Sequence, residues 1–307
     1  MKKEFTEEQL QIFKKLEKLE QEVGSQNKAG LLTGVSGSII GQIKKGIYKG
    51  DVDTQFEKLR DYFATKEESQ TVYSATKYVP TSISSQVYDF IRNAQIKGGL
   101  VAISGDAGIG KTRAIRKFHE DHPYDSIWVT GGTCVNSVKT VLTELCLRLG
   151  VNTGANYKMY KGILEKLRDG MVIIIDEAQH ISLKTIEALR GFSDYFSDNG
   201  QTLGIVFCGN IETINKFGGK QEAIFHQIAN RTKQKPVFRT RDIVKDDIKL
   251  LFPEVSTREP ELKFLLGIAQ SSQAIRGVMN LYANAHDNDN VTYEGIVAMA
   301  KHMNMRI

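Results

Sequence analysis

The sequence predicts an α/β fold: a parallel sheet covered by helices on both faces, preceded by an all-α domain and followed by a small helical lid. Three observations carry this. Apolar strand candidates alternate with helical patterns between about residues 77 and 240. Two of those strands, Val172-Ile-Ile-Ile175 and Leu203-Gly-Ile-Val-Phe207, are apolar without interruption, as strands buried on both faces are. On either side of that stretch the apolar periodicity is helical only.

The elements follow in order. In residues 4–22, Leu10, Phe13, Leu16 and Leu19 recur at a spacing of three, which predicts an amphipathic helix that Gly24-Ser25 ends. Ala29 to Thr33, the turn Gly34-Val35-Ser36, and Ser38 to Lys45 read as a helix, a tight glycine turn and a second helix with Ser36 as N-cap, that is, a helix-turn-helix. Asp51 caps a further helix, 52–63, with Phe56, Leu59 and Phe63 inward. Residues 1–63 therefore form one domain, and the polar stretch 64–76 reads as a linker. The α/β domain spans 77–240, with strands predicted at 100–104, 126–130, 171–176, 203–208 and 235–238. Helices are predicted between them near 83–97, 111–120, 135–149, 156–168, 182–197 and 221–228. Residues 241–307 form the lid, with short helices at 244–251, 259–270, 273–286 and 292–303.

Composition bounds the class. A chain of 307 residues holds two or three domains, and 41% hydrophobic content supplies their cores. Cys134, Cys146 and Cys208 lie in apolar segments without paired or zinc spacing, which predicts buried free thiols and a cytoplasmic setting. No membrane span or secretory leader is expected, because no run of 18 apolar residues occurs and the N-terminus is amphipathic. The net charge of +5 permits a nucleic-acid partner without requiring one.

Gly105-Asp106-Ala107-Gly108-Ile109-Gly110-Lys111-Thr112 has the form G-x-x-x-x-G-K-T between a strand and a helix. The glycines let backbone N–H groups converge on phosphate oxygens, Lys111 pairs with the β and γ phosphates, and Thr112 ligates Mg²⁺. Arg113 follows within reach of the same phosphates. Downstream, the strand Met171–Ile175 ends in Asp176-Glu177. Asp176 is expected in the Mg²⁺ shell, with Glu177 orienting the attacking water. The Asn-Lys-x-Asp base-recognition pattern of GTPases is absent, so the nucleotide expected is ATP. Asn210 ends the next buried strand, where it reaches the γ-phosphate or the lytic water, or else sits in a left-handed turn after Gly209. Arg231 ends a helix before a strand, placed to act as an arginine finger in a neighbour's site or to complement the helix dipole. Arg276, early in a lid helix, is placed to reach back to the γ-phosphate.

In order and spacing these residues resemble the AAA+ ATPases. The Gly105–Thr112 loop corresponds to Walker A, Asp176-Glu177 to Walker B, Asn210 to sensor 1, Arg231 to the arginine finger and Arg276 to sensor 2. Gly105-Asp-Ala-Gly-Ile-Gly-Lys-Thr-Arg-Ala-Ile-Arg116, Leu142-Thr-Glu-Leu145, Ile174-Ile-Asp-Glu-Ala-Gln-His180, Gly209-Asn210 and Ile228-Ala-Asn-Arg-Thr232 are similar to the MuB-like transposition ATPases. So are the N-terminal helix-turn-helix and Tyr48-Lys-Gly-Asp51, and the likeness covers nearly the whole chain. Gln179 departs from the phage pattern, which has an acid there, and matches a variant common in related transposition ATPases. The resemblance implies ATP-dependent helical filaments, or rings, on double-stranded DNA, largely without sequence preference. It also implies target-DNA selection, activation of a transposase partner, and disassembly driven by ATP hydrolysis.

DNA contacts are expected at two places. In the second helix of the helix-turn-helix, Ser38, Gln42, Lys44 and Lys45 fall outside the apolar Ile39, Ile40 and Ile43 set; Gln42 suits adenine and the lysines suit phosphates. In the α/β domain, the loop after the second strand and the helix after Asp176-Glu177 supply Lys139, Lys184 and Arg190. Two other functions fit the same motifs: a helicase loader or replication initiator, and a non-hydrolysing regulator in which ATP switches the helix-turn-helix.

Overall fold

The computed structural model describes residues 5–71, 78–215 and 232–305 and divides into two units, Met1–Ser74 and Ala75–Ile307.

In the first unit, α1 (Glu7–Val23) opens with a reciprocal cap between Thr6 and Gln9. Its buried residues are Ile12, Leu16 and Leu19, while Leu10 is 48% exposed. At about 100° per residue, three successive steps of three turn a stripe through about 180°, so Leu10 and Leu19 cannot share a face and Ile12 takes the inward position. Helix α2 (Gln26–Thr33) ends at left-handed Gly34, and Ser36 caps α3 (Gly37–Lys44). Gly30 permits this tight turn: a Cβ there would lie 2.7 Å from the Gly37 nitrogen and the Val35 oxygen. Helix α4 (Val52–Thr71) runs past Phe63 into the stretch expected as linker. The polar sequence there contains no glycine or proline to stop it. Phe13 packs edge-on against Phe5 and Phe56, beside a core that includes Leu16, Ile40, Ile43 and Leu59.

The second unit begins with α5 (Ser82–Lys97), β1 (Gly99–Gly105) and α6 (Lys111–Asp121). Next come β2 (Ser126–Thr130), α7 (Val138–Leu149), α8 (Asn156–Lys166), β3 (Met171–Asp176), α9 (Leu183–Asp198), β4 (Leu203–Gly209) and α10 (Ile211–Asn215). Strands β5 (Thr232–Gln234) and β6 (Val237–Phe238) lead to α11 (Lys245–Leu251), α12 (Glu259–Ala269), α13 (Ala274–Asp287) and α14 (Tyr293–His302). The sheet order is β2-β3-β4-β1-β5, with β6 also on β1, and every pairing is parallel. The single strand expected at 235–238 is two, separated at Lys235-Pro236, because proline has no N–H for the ladder. The helix expected from 135 starts at Val138, where Ser137 and Thr140 cap it. The expected helix 221–228 lies outside the described residues.

Alternation of side chains splits the sheet's core. Ile173, Ile175, Ile205 and Phe207 face a layer built from α7, α8 and α9, including Leu145, Ile163 and Phe192. Helices α5 and α6 cover the opposite face. Gly204 lets α5 approach β4 closely, since a Cβ there would sit 2.4 Å from the Ala94 oxygen. The registers Ser104↔Gly209 and Ile175↔Phe207 bring the carboxyl ends of β1, β3 and β4 level. That edge of an open α/β sheet is where ligands bind.

Cys146 and Cys208 are buried, but Cys134 is exposed. It lies in the loop after β2, closed by paired Gly132–Val135 hydrogen bonds, and not in a helix whose face could bury it. Among the described residues, no helix is long and apolar enough to cross a membrane.

Candidate nucleotide site and its neighbourhood

The loop from Gly105 to Thr112 joins β1 to α6 at this edge. Gly108 and Gly110 hold φ of 78° and 103°, values that glycine alone adopts without strain. No side chain caps the first turn of α6, so its N–H groups remain available to an anion. The Lys111 ammonium donates to the carbonyls of Gly105 (2.9 Å) and Asp106 (2.7 Å). Burial holds its pKa below the ordinary lysine value, against the raising effect of Cys208, Asp176 and Glu177 nearby. Asp106 is itself fixed: its carboxylate accepts from the Thr240 N–H (2.8 Å) and pairs with Arg239. Ala107 is exposed at the loop's tip, and Ile109 is fully buried beneath it.

Thr112 donates its hydroxyl to Asp176 Oδ2 (2.8 Å), which joins the start of α6 to the end of β3. Asp176 is 2% exposed. Burial pushes its carboxyl above the ordinary aspartate value, and the bonds from Thr112 and from the Glu177 N–H partly offset that. A hydroxyl beside a buried carboxylate is an oxygen donor set that suits Mg²⁺, which favours one or two carboxylates plus substrate oxygens. The residues present therefore fit the expected ion. Among the described residues, no cluster of three or more His, Cys, Asp or Glu offers another metal site.

Glu177 is exposed and left-handed, at φ 51° and ψ 41°. For a non-glycine residue this conformation costs about 1–3 kcal/mol and persists only where its surroundings enforce it. Asn210 is not left-handed. Its Oδ1 accepts from the Glu212 N–H (2.9 Å) and so starts α10. Arg276, on α13, donates its backbone N–H to the Gly108 carbonyl (3.1 Å), which seats the lid on the phosphate loop.

These groups line one cleft of about 470 Å³, bounded by Gly108, Lys111, Thr112, Glu177, Asn210 and Arg276, with Arg113 and Arg116 at its rim. Val79, Leu251, Ile275 and Met279 add an apolar wall. Residues 95–217 match the family model described as the AAA domain. The matched segment holds the phosphate loop, the acidic pair and Asn210.

The chain is similar to the DNA transposition protein B of the Mu-like prophage FluMu of Haemophilus influenzae, at 24% identity over 81% of this chain and 87% of that one. It is similar to the ATP-dependent target DNA activator B of Escherichia phage Mu, at 26% identity over 81% of this chain and 78% of that one. The AAA fold is shared with the ORC2 protein of Aeropyrum pernix, at TM-score 0.56 and 10% identity, covering 75% of this chain and 70% of that one.

The structure joins Thr112 to Asp176 and places Glu177, Asn210 and Arg276 on the same cleft as Thr112. Arg231 lies outside the described residues. The two expected DNA segments of the AAA domain adjoin: the Asn136 carbonyl accepts from the Ser182 N–H (2.9 Å) and the Thr185 hydroxyl (3.1 Å). Lys139 and Lys184 are exposed there, whereas Arg190 is half-buried and paired with Asp194. In the N-terminal unit, Ser38, Gln42 and Lys45 are exposed on or just after α3. Lys44 is paired with Glu20 on α1 at 3.0 Å.

Sequence reasoning missed Gln179, in the short turn Ala178–His180 after Glu177. Its side-chain amide donates to Glu177 Oε2 and accepts from the Asn210 N–H (3.2 Å). The signal was a polar amide two residues beyond the acidic pair, read only as a departure from a family pattern. The cleft's apolar wall was missed as well, because its residues come from segments far apart in sequence.

Proposed function

We propose that this protein is an ATP-driven DNA-binding helper of transposition. It assembles on duplex DNA when ATP is bound, presents that DNA as target to a transposase, activates the transposase, and leaves when ATP is hydrolysed. The observation that carries this reading is the Thr112–Asp176 pair beside a cleft lined by Lys111, Thr112 and Glu177, in a chain whose relatives are named for target DNA activation and transposition.

Each residue has a part in the reading. The uncapped turn of α6 and Lys111 bind the phosphates; on ligand binding the ammonium exchanges two loop carbonyls for phosphate oxygens. Thr112 and Asp176 hold Mg²⁺, whose charge offsets that of the phosphates. Glu177 accepts a hydrogen bond from the attacking water and orients it, and Asn210 lines the same mouth. Arg231 of a neighbouring subunit completes the site, so that turnover requires assembly. Arg276 ties the lid's position to the phosphates. Lys139 and Lys184 meet DNA phosphates along the assembly, and Ser38, Gln42 and Lys45 of the N-terminal unit add to that grip.

Electron microscopy of the protein on linear duplex DNA tests this. Continuous coats or rings are expected with ATP and Mg²⁺ and bare DNA without nucleotide. Coating of equal extent under both conditions would refute the proposal.

A further inference from the structure

Gln179 lies between the acidic pair and the end of β4. Its amide nitrogen donates to Glu177 Oε2. Its amide oxygen accepts from the Asn210 N–H (3.2 Å) and stands 3.4 Å from the Thr213 hydroxyl, a fully buried residue of α10. The backbone makes room for it: a Cβ on Gly209 would lie 2.3 Å from that amide oxygen. One side chain thus uses its donor on a carboxylate of the cleft and its acceptor on the strand end that carries another cleft residue.

Glu177 needs such support. It is exposed, so packing does not fix its rotamer, and its left-handed backbone is unfavourable. A carboxylate that orients a water must be held within about 0.5 Å of its working position. Neither a glutamate nor a methionine at 179 supplies both halves of the bridge, since a carboxylate has no N–H to give and a thioether has neither strong donor nor strong acceptor.

We infer that Gln179 is a positioning residue for ATP hydrolysis, which fixes the Glu177 carboxylate against the β4–α10 junction and so holds Glu177 and Asn210 in register. The inference rests on the role proposed for Glu177. The bonds of Gln179 described above fall on Glu177 and the β4–α10 junction, so its loss should lower kcat more than substrate binding.

The test compares wild type, Gln179→Met, Gln179→Glu and Glu177→Gln in ATP hydrolysis with duplex DNA, with nucleotide affinity measured separately. Gln179→Met is expected to lower kcat about 10- to 100-fold, the usual cost of removing a partner that orients a reacting group, with KM and nucleotide affinity within about twofold. Gln179→Glu retains the length and the acceptor facing Asn210, and is expected to lose kcat similarly because the donor to Glu177 is gone. It serves as the deciding variant if Gln179→Met fails to fold. Wild-type kcat in either folded variant, while Glu177→Gln is inactive, would overturn the inference alone. A rise in KM that accounts for the whole loss would overturn it too. Wild-type turnover by Glu177→Gln would instead remove the proposed role of Glu177 and this inference with it.

Discussion

Thr112 and Asp176, 64 positions apart in the chain, meet at 2.8 Å where α6 begins and β3 ends. The contact sets a buried carboxylate beside a hydroxyl, and burial raises the carboxyl's pKa above the ordinary aspartate value. Its folded pKa is raised, so its contribution to stability is complete below the unfolded value and is lost as pH rises through the folded one. At neutral pH the charged form therefore destabilises the protein. Asp176→Asn keeps a group for Thr112 to bond and removes the charge. We predict that it raises the melting temperature by ~2–4 °C, corresponding to about 1 kcal/mol, and abolishes stabilisation by Mg²⁺ with ATP. The gain over wild type should grow from pH 3.8, the ordinary carboxyl value, and level off once the native carboxyl has ionised. Melting curves across that range check this; a gain independent of pH would contradict it.

The lid's seat separates backbone from side chain. A Cβ at Gly108, where φ is +78°, would lie 3.2 Å from the Cβ atoms of Ala274 and Arg276. Gly108→Ala should destabilise by ~1–3 kcal/mol and weaken ATP binding, because strain and crowding fall on the same loop. Arg276→Ala should leave the melting temperature unchanged, since its exposed side chain is not needed for the backbone bond to Gly108, and still weaken ATP binding. Calorimetry and nucleotide titration of both variants separate the effects. Identical behaviour of the two would place the lid contact elsewhere.

In the N-terminal unit, Lys44 and Lys45 differ in partners. Lys44 is tied to Glu20, while Lys45 is exposed. Lys45→Ala should lower DNA affinity and reduce the salt slope by about one. Lys44→Ala should cost up to about 1 kcal/mol of stability and change the slope less. A larger change of slope for Lys44→Ala than for Lys45→Ala would reverse the assignment.

Arg231 supplies the assembly prediction. Arg231→Ala should bind ATP and fail in turnover. Mixing it with Lys111→Ala should restore part of the activity, where an intact finger meets an intact site. No recovery at any ratio, despite co-assembly shown by crosslinking, would count against a finger acting between subunits.

The parallel sheet was legible because β3 is apolar from Met171 to Ile175 and β4 carries no charged residue, and the phosphate loop because glycine spacing fixes its backbone. Asp176, Glu177 and Asn210 were legible as strand-end polar residues, since strands in register bring their ends level. What the sequence hid depends on contacts between distant segments. The burial of Ile12 in place of Leu10 follows from helix rotation, which spacing by threes misrepresents. The continuation of α4 through a polar stretch needed no apolar signal at all. The Gln179 bridge exists only because β4 ends at Gly209, with Thr213 beyond it.

The state of this nucleotide site is expected to decide whether the protein holds DNA. Lys111→Ala should lose ATP binding, and Glu177→Gln should keep it while blocking turnover. The direct measurement is a titration of duplex DNA with wild type, Lys111→Ala and Glu177→Gln, each with and without ATP and Mg²⁺, followed by dissociation after ATP is removed. Wild type should bind DNA only with ATP, Lys111→Ala should bind little, and Glu177→Gln should bind and outlast wild type during dissociation. DNA binding of equal strength and lifetime in all three proteins, with or without ATP, would contradict it.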